Sequence, residues 1–340
     1  GPGRALRFRT PDEGTTVVHD LVRGDVEFAN ASIEDFVVVK SNGDPLFVLA
    51  VVVDDLDMRI THVIRAEEHL PTTPKAILLW GALTDEATPT FAHLPVLVND
   101  KRQKLSKRRD RVAVEDYRAL GYLPEAMRNY LALLGWSPAD GRELLSLDEL
   151  VAEFRLEDVN HSPAFFDEKR LQHFNGLYLR ALALPELRER AAPFLAPPVA
   201  PWPEQAFDAA AFDALAPLVQ ERVATLGEVP ALVEFLFATP FEPDVDAFAK
   251  LVAGDDTAPV VLGQARDAFR SCDWAPETLK ELLAGIASTV DRKLAKAQAP
   301  VRVAVMGRAT GLPLFESLVV LGRDRTLERI EAALARLGSG

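Results

Sequence analysis

The sequence predicts an α/β region with a partial parallel sheet, followed by a longer all-helical region. Between about residues 36 and 112, short β-branched runs alternate with a helical segment, as in successive βαβ units. From about residue 113 onward, the apolar residues recur at helical spacing and the strand patterns stop. A proline-rich segment, residues 193–205, interrupts the helical region and indicates a linker or a boundary between helical layers.

The composition limits the classes of function. The chain has 340 residues, 48% of them hydrophobic, which is too much for one small core, so two or three domains are expected. The longest apolar run, Leu46–Val53, is far shorter than the roughly 20 residues of a membrane span, and no signal pattern precedes it. We therefore expect a cytoplasmic protein with no membrane partner. The single cysteine, Cys272, excludes an internal disulfide and a cysteine-rich zinc site.

Two apolar runs near the start of the α/β region predict strands. Phe36–Lys40 is rich in β-branched residues, and Leu46–Val53 is almost entirely apolar, as expected for a strand covered on both faces. The intervening segment, Ser41–Pro45, has the sequence SNGDP and predicts a turn.

The following segments predict a strand, a helix and another strand. Arg59–Arg65 is a short β-branched run, and Thr72–Leu83 predicts a helix with Thr73 as its cap and Pro74 in its first turn. Ala92–Val98 predicts a further strand, which leads directly into a basic loop.

Helical periodicity is clearest after residue 120 and at the end of the chain. The first stripe, with Pro124 in the first turn of its helix, consists of Leu123, Met127, Tyr130, Leu131 and Leu134. The terminal helix places four residues on one face, namely Leu327, Ile330, Leu334 and Leu337. We interpret both stripes as faces that pack into a core.

The densest charge lies in Asp100–Arg111, where seven of twelve residues are Lys or Arg in a chain with a formal net charge of −13. Such a run usually forms a solvated loop. Here, Lys104 and Lys107 flank the small Ser106 at the end of a predicted strand, where open α/β sheets bind ligands. Flexible ammonium groups at that place can neutralise a polyphosphate. Since the chain has neither a P-loop nor a GxGxxG motif, a different nucleotide-binding fold is required.

The segment Lys104–Arg108, with the sequence KLSKR, resembles the KMSKS signature of class I aminoacyl-tRNA synthetases in the form used by glutamyl-tRNA synthetases. The resemblance runs along nearly the whole chain in the family's order, through DLVRGDVEFAN, SNGDPLF, VVDDLDM, ITHVIRAEEHL, FAHLPVLV, GYLPEAMRNYLALLGW, FFDEKRLQHFNGLYLR and LFESLVVLGRDRTLERI. It implies a partial Rossmann-like sheet followed by all-α stem-contact and anticodon-binding domains, the latter a helical cage typical of bacterial members.

The resemblance also implies a division into four parts. Residues 1–35 would end the acceptor-binding insertion, and residues 36–112 would form the second half of the Rossmann catalytic domain, with the KLSKR loop. Residues 113–190 would form the stem-contact domain and residues 191–340 the anticodon-binding domain.

The activity implied by the resemblance is the ATP-dependent activation of glutamate and its transfer to glutamate tRNA. ATP and Mg²⁺ would be bound, and no zinc is expected. Lys104 and Lys107 would be the catalytic residues, because they would stabilise charge on the ATP phosphates. The ATP-binding residues would be Lys107, Ser106, Glu68, His69, Val96 and Leu97.

Arg65 resembles the arginine that meets the side-chain carboxylate of glutamate, which a guanidinium can hold by two parallel hydrogen bonds. In the same pocket, Phe47 and Val51 stand where the family often has Tyr and Asn. Each change deletes a polar group, which puts the affinity for glutamate, and even its identity as the substrate, in question. Asp54 and Asp55 either order this pocket or cap a strand end.

Arg222 stands where a family arginine reads the last anticodon base and favours glutamate tRNA over glutamine tRNA. The alternative for Arg222 is an exposed helix residue. Arg128, Arg170 and Arg180 would contact the acceptor stem, or else lie on solvated helix faces.

No counterpart of the family's His-Ile-Gly-His-type motif, or of its first strand and helix, precedes Arg4. The resemblance therefore implies a carboxyl-terminal portion that is monomeric and has little or no aminoacylation activity alone. Whether a separately supplied amino-terminal half completes the site stays open. Two alternatives stay open. One is a noncatalytic tRNA-binding protein derived from such a synthetase, and the other is a synthetase that also charges glutamine tRNA.

Overall fold

The computed structural model describes residues 3–106, 108 and 110–338. They form two compact units. The first, which we call the sheet unit, contains the residues up to Ala113 together with Glu125–Leu171. The second, the helical unit, contains Val114–Pro124 and the residues from Gln172 onward.

All strands of the described residues belong to the sheet unit. In chain order they are β1 (Leu6–Phe8), β2 (Thr15–Asp20), β3 (Gly24–Ala29), β4 (Phe36–Val39), β5 (His62–Ala66), β6 (Thr90–Leu94), β7 (Leu97–Val98) and β8 (Ala164–Phe165). The main sheet has the order β3-β2-β6-β5, in which β2 pairs antiparallel with β3 and parallel with β6, and β6 pairs parallel with β5. Two smaller sheets pair β1 with β4 antiparallel and β7 with β8 parallel.

The helices of the described residues are distributed over both units. In chain order they are α1 (Phe47–Asp57), α2 (Thr73–Leu83), α3 (Val114–Ala119), α4 (Pro124–Ala132), α5 (Leu147–Glu153), α6 (Glu168–Ala181), α7 (Leu184–Ala191), α8 (Ala209–Gln220), α9 (Val229–Phe237), α10 (Val245–Phe248), α11 (Ala258–Phe269), α12 (Pro276–Thr289), α13 (Leu294–Met306), α14 (Leu314–Leu321) and α15 (Arg323–Gly338). The partial parallel sheet followed by a helical region confirms the predicted fold class.

The prediction of a strand at Leu46–Val53 is wrong, because this run forms most of helix α1. Val48, Val52 and Leu56 recur every four residues and pack in one apolar cluster with Trp80 of α2. A run that is apolar at nearly every position fits the helical and the strand periods equally well, so the pattern alone could not decide between them.

The strand pairings also differ from the expected βαβ succession. β4 is the predicted strand at Phe36, but it pairs antiparallel with β1 instead of joining the parallel sheet. The place beside β6 is taken by β2, from the first 35 residues. The predicted strand Ala92–Val98 is split into β6 and β7 at Pro95, which has no N–H to donate to a ladder. β8 lies beyond residue 113, where no strand was expected.

Several local predictions are confirmed. α2 and α4 lie within the predicted segments, and β5 overlaps its predicted segment and ends one residue later, at Ala66. Pro74 occupies the first turn of α2, although Thr72 rather than Thr73 precedes that helix. In the turn between β4 and α1, Gly43 has a φ of 94°. In α15, Ile330 is buried, and three residues are half-buried, namely Leu327, Leu334 and Leu337. The four-part domain division stays a prediction.

Two arginines of α15 hold helix ends together in the helical unit. Arg329 is buried, and its Nη1 donates to the carbonyl of Val305 (2.6 Å) while its Nη2 donates to that of Phe235 (2.7 Å). Arg325 donates to the carbonyl of Leu236 (2.8 Å). These carbonyls lie in the last turns of α13 and α9, where helical acceptors lack partners and the helix dipole favours a cation. Burial lowers the pKa of Arg329 to about 9.

Gly121 brings two backbone segments of the helical unit into direct contact. Its carbonyl accepts a hydrogen bond from the amide of Leu226 (3.0 Å), and that of Leu120 accepts one from Gly227 (3.2 Å). Gly121 has a φ of 84°, and a Cβ atom added to it would lie 2.4 Å from the nitrogen of Gly227. The position therefore excludes any side chain, both by conformation and by space.

We expect Gly121→Ala to lower the free energy of unfolding by at least about 2 kcal/mol, because it combines left-handed strain with a backbone clash. Urea unfolding followed by circular dichroism measures the change. Gly285→Ala is the matched control, since Gly285 lies inside α12 with open space around it and should be neutral or slightly stabilising. Equal stability of the two variants would contradict the predicted contact.

Candidate functional site

A series of hydrogen-bonded polar side chains crosses the main sheet from β2 to β5. It begins at Asp20, the last residue of β2, whose Oδ2 lies 2.6 Å from Nδ1 of His93 on β6. Both side chains are fully buried. The Oδ1 of Asp20 accepts hydrogen bonds from the backbone amides of His93 (3.2 Å), Val22 (3.0 Å) and Arg23 (2.9 Å). One carboxylate thus fixes the end of β2 against β6.

The series of hydrogen bonds continues from His93 to Arg65 and Thr73. The Nε of Arg65 donates to Nε2 of His93 (3.2 Å), and its Nη2 donates to the hydroxyl of Thr73 (2.8 Å). That hydroxyl lies 3.0 Å from Nε2 of His93 and 3.1 Å from the carbonyl of His69. Among the described residues, Nη1 of Arg65 makes no hydrogen bond or ion pair, so it remains for a ligand.

Burial opposes ionisation of Asp20, but the hydrogen bonds from His93, Arg23 and Val22 outweigh it and lower the pKa of the carboxyl. Burial also lowers the pKa of His93, although Asp20 acts in the opposite direction, and Arg65 and His69 lower it further. The pair therefore consists of a carboxylate and a neutral imidazole at neutral pH.

Helix α1 carries the other residues predicted for the glutamate pocket. Phe47, Val51 and Asp55 recur every four residues and so lie on one face of the helix. Burial raises the pKa of Asp55, while Arg65 lowers it and Asp54 raises it further. Among these residues, Asp55 is the one whose charge acts on the guanidinium of Arg65. Phe47 is 68% exposed, so its ring is available for contact.

The basic loop is attached to the same edge of the sheet unit. Lys104 pairs by an isolated β-bridge with Val98 of β7, and the amide of Leu105 donates to the carbonyl of Leu97 (3.0 Å). The side chain of Lys104 forms an ion pair with Glu68, whose pKa this hydrogen bond and charge lower. The structure therefore brings together the predicted residues Lys104 and Glu68.

The second half of the loop is held by Asp110. Its carboxylate accepts from the amide of Ser106 (2.9 Å), and its own amide donates to the carbonyl of Ser106 (2.9 Å). Arg111 forms an ion pair with Glu168 of α6 (2.6 Å). The predicted catalytic residue Lys107 lies outside the described residues.

The predicted nucleotide wall is less available than its sequence suggests. The amide of Val96 donates to Oε1 of Glu67 (3.3 Å), and its carbonyl accepts from Ala164 (3.0 Å). Leu97 lines an apolar cavity of about 330 Å³. His69 is half-buried beside Thr73. A ligand contact from Val96 therefore involves its side chain or displaces Glu67.

Three of the predicted tRNA-contact arginines lie on helices α4 and α6. Arg128 is exposed on α4, Arg170 forms an ion pair with Glu143 (2.7 Å), and Arg180 is half-buried near the end of α6.

Arg222, directly after α8, is exposed and lies within electrostatic reach of Arg302 on α13. The pKa of Arg302 is lowered mainly by burial, and the positive charge of Arg222 lowers it further. Arg302 is half-buried and its Nη1 donates to the carbonyl of Leu312, so the exposed guanidinium of Arg222 is the more accessible of the two.

Asp20, His93, Thr73 and Arg302 were not predicted as site residues. A histidine inside the apolar strand FAHLP was an available indication for His93, because a buried polar side chain requires partners. The partner Asp20 is 73 residues away, and no local pattern connects the two.

Within the described part of the chain, no three His, Cys, Asp or Glu side chains are grouped so that they could hold a metal ion. None of the described helices is both long enough and apolar enough to cross a membrane.

Comparisons with known proteins agree in both units. The family model for class I tRNA synthetases (E and Q), catalytic domain, matches residues 2–173, and the model for an anticodon binding domain matches residues 186–334. The glutamate–tRNA ligase of Frankia alni is 56% identical over 340 residues, covering 100% of this chain and 72% of its own length. That of Thermobifida fusca is 56% identical and covers 99% of this chain and 71% of its own.

A solved structure has the same fold over nearly the full chain. It is that of a glutamate tRNA ligase from Elizabethkingia meningosepticum in complex with its amino acid, with a TM-score of 0.79 and 29% identity. The match covers 98% of this chain and 68% of the other.

We expect the free energy of unfolding to decrease as the pH falls from about 6.5 towards the lower pKa that His93 has in the folded state. The physical reason is that the unfolded chain takes up a proton at His93 at a higher pH than the folded chain. Melting temperatures at about pH 7.5 and about pH 5.5 measure this decrease.

In the same experiment, His93→Gln should show a smaller decrease over the interval, since its side chain does not titrate. His161→Gln, at an exposed histidine, should keep the pH dependence of the wild-type chain. An unchanged slope in His93→Gln would contradict the prediction.

Proposed function

The chain belongs to the glutamate–tRNA ligase family of class I tRNA synthetases, and on that premise we propose how its residues bind glutamate, ATP and glutamate tRNA. The observation that supports the proposal most directly is Arg65, which is held by two buried partners while its Nη1 remains unpaired among the described residues. A cation fixed in this way beside a partly exposed helix face suits an amino-acid carboxylate.

Arg65 would hold the side-chain carboxylate of glutamate. Phe47 and Val51, on the same face of α1 as Asp55, would pack against the methylene groups of the substrate. Because neither side chain donates a hydrogen bond, discrimination would rest mainly on the charge of Arg65. Asp55 would prevent the approach of a second carboxylate and help orient the guanidinium.

Lys104, together with Lys107, would neutralise the phosphates of ATP. In the structure, Lys104 is paired with Glu68, so nucleotide binding would exchange one anionic partner for another. The amide of Ser106 is held by Asp110, which shapes the loop for this contact. Mg²⁺ would be bound chiefly through the phosphates and water, as is usual for this ion, and would add positive charge at the pyrophosphate.

These residues would promote adenylate formation by orientation and charge. The α-carboxylate of glutamate attacks the α-phosphorus of ATP, and the bond to pyrophosphate breaks. Arg65 would hold the substrate at its far end, which sets the position of the attacking oxygen. Lys104 and Lys107 would stabilise the negative charge that develops on pyrophosphate. The terminal hydroxyl of tRNA then attacks the acyl carbon, and AMP leaves.

The helical unit would read the anticodon through Arg222. Its position within reach of the charge of Arg302 supports this, because paired guanidinium groups suit the acceptor-rich edges of single-stranded bases. Arg128, Arg170 and Arg180 would make phosphate contacts along the acceptor stem, with the salt dependence that such contacts bring. The four-part domain division, a monomeric state and a cytoplasmic location complete the proposal.

Arg222→Gln should weaken binding of glutamate tRNA by about 1–3 kcal/mol and reduce its advantage over glutamine tRNA, because an arginine contact to a base edge is lost. Fluorescence anisotropy with both tRNAs over a salt series measures affinity and selectivity together.

The control for this experiment is Arg270→Gln, at an exposed arginine paired with Glu331, which should leave selectivity unchanged. Equal losses on both tRNAs in Arg222→Gln would exclude a role in base recognition. Equal wild-type affinity for the two tRNAs would favour the alternative in which both are charged.

Arg65→Lys should weaken glutamate binding at least about tenfold, because an ammonium group cannot reproduce the planar pair of donors. Calorimetric titration of the chain with L-glutamate measures the change, and titration with ATP should show little effect. Arg59→Lys, at an exposed arginine between α1 and β5, is the matched control. Unaltered glutamate affinity in Arg65→Lys would contradict the proposed contact between Arg65 and glutamate.

A further inference from the structure

His93 is a fully buried histidine with both ring nitrogens occupied by charged partners. Nδ1 faces the carboxylate of Asp20 at 2.6 Å, and Nε2 faces Nε of Arg65 at 3.2 Å and the hydroxyl of Thr73 at 3.0 Å. It contacts no position where the substrate, as proposed above, would be bound. Its role must therefore be exerted through Arg65 or through the stability of the sheet.

The partners of His93 determine which nitrogen carries the proton. The Nε–H of Arg65 can only donate, so Nε2 of His93 must offer a lone pair. The proton is therefore on Nδ1, which donates to the carboxylate of Asp20. Asp20 keeps its own charge, because three backbone amides also donate to it.

This arrangement restricts the guanidinium of Arg65. Nε is held by His93 and Nη2 by Thr73, so the plane of the group is defined at two points. The remaining donor, Nη1, then has a fixed direction. A donor that is oriented before the ligand arrives loses less conformational freedom on binding and gives a stronger, more selective contact.

We propose that His93 is a positioning residue for substrate recognition: as an Nδ1-protonated imidazole oriented by Asp20, it holds Arg65 in the direction required to bind the glutamate carboxylate. The inference rests on the proposed function of Arg65 as the glutamate-binding residue. It extends substrate recognition to His93 and Asp20, which would act on the substrate only through Arg65.

The same arrangement makes glutamate binding sensitive to acid. The charged and titratable groups that face His93 are Asp20 on β2, Arg65 on β5 and His69 in the following turn. A second proton on His93 would place a donor opposite the Nε–H of Arg65 and add a like charge beside it. Glutamate affinity should therefore be constant above the range in which His93 titrates and decrease within it.

Two substitutions separate the two functions of the ring. His93→Gln can place an oxygen acceptor near the position of Nε2 and so retain the partner of Arg65. His93→Asn can place an amide donor near the position of Nδ1 and so retain the partner of Asp20, while it removes the acceptor for Arg65. Asn is one methylene group shorter than Gln, so His93→Asn loses more packing at this buried position, and stability must be measured beside affinity.

Glutamate affinity, measured by calorimetry at neutral pH, should fall about tenfold or more in His93→Asn and by no more than about threefold in His93→Gln. The decrease in affinity on acidification should be present in the wild-type chain and reduced in His93→Gln. Melting temperatures recorded beside the affinities show whether the two variants differ in stability. Equal losses of affinity in both variants, or none in His93→Asn, would overturn the inference.

Nuclear magnetic resonance tests the positioning independently of the substrate. The ¹⁵N shifts of His93 should show the Nδ1–H tautomer, and the Nε–H of Arg65 should exchange slowly in the wild-type chain and in His93→Gln but rapidly in His93→Asn. If the wild-type chain binds no glutamate, the proposed function fails. In that case slow exchange that is lost only in His93→Asn would still support the hold on Arg65. Rapid exchange in the wild-type chain would overturn it.

Discussion

The carboxylate of Asp20 is the interaction on which the arrangement of the sheet unit depends. β2 and β6 share a single pair of residues in register, Asp20 and Phe91, so backbone pairing alone joins them weakly. The Asp20 side chain adds hydrogen bonds to the amide and the ring of His93. It also fixes the chain where it leaves β2, through the amides of Val22 and Arg23. Such a buried charge is tolerated only because every one of these donors is present.

The geometry of the candidate site depends on this contact between β2 and β6. Once β6 is aligned beside β2, His93 points towards β5 and meets Arg65. The same edge of the unit carries the basic loop, whose first half is held by the bridge between Val98 and Lys104. In a chain with a net charge of −13, the cations near this edge are balanced by specific carboxylates, such as Glu68, which phosphate groups can replace.

The helical unit is held by contacts of a different kind. Gly121 allows two backbones to approach more closely than any side chain would permit. Arg325 and Arg329 bind the carbonyls at the ends of α9 and α13, so one helix orders the ends of two others. Arg302 also lies on α13, the helix whose end is held by Arg329 of α15. The proposed anticodon contact through Arg222 and Arg302 would therefore depend in part on Arg329, a buried arginine of the same unit.

The sequence by itself determined the fold class, the family and the local elements whose residues follow one clear period. α2, α4 and the turn at Gly43 could be predicted because a proline or a glycine marks each of them, and β5 because its residues are β-branched. The motif around KLSKR and Arg65 identified the candidate site residues, and the structure brings Lys104 and Glu68 into contact.

Only the tertiary structure decided the state of Leu46–Val53, the pairing of β2 with β6, and the hydrogen bonds from Asp20 through His93 to Arg65. The reason is that an evenly apolar run fits two periods, and its choice is made by packing against α2. Strand order and buried polar pairs likewise join residues that are far apart in the chain, as Asp20 and His93 are. Their selection is made by burial and hydrogen bonding in three dimensions, which no local pattern encodes.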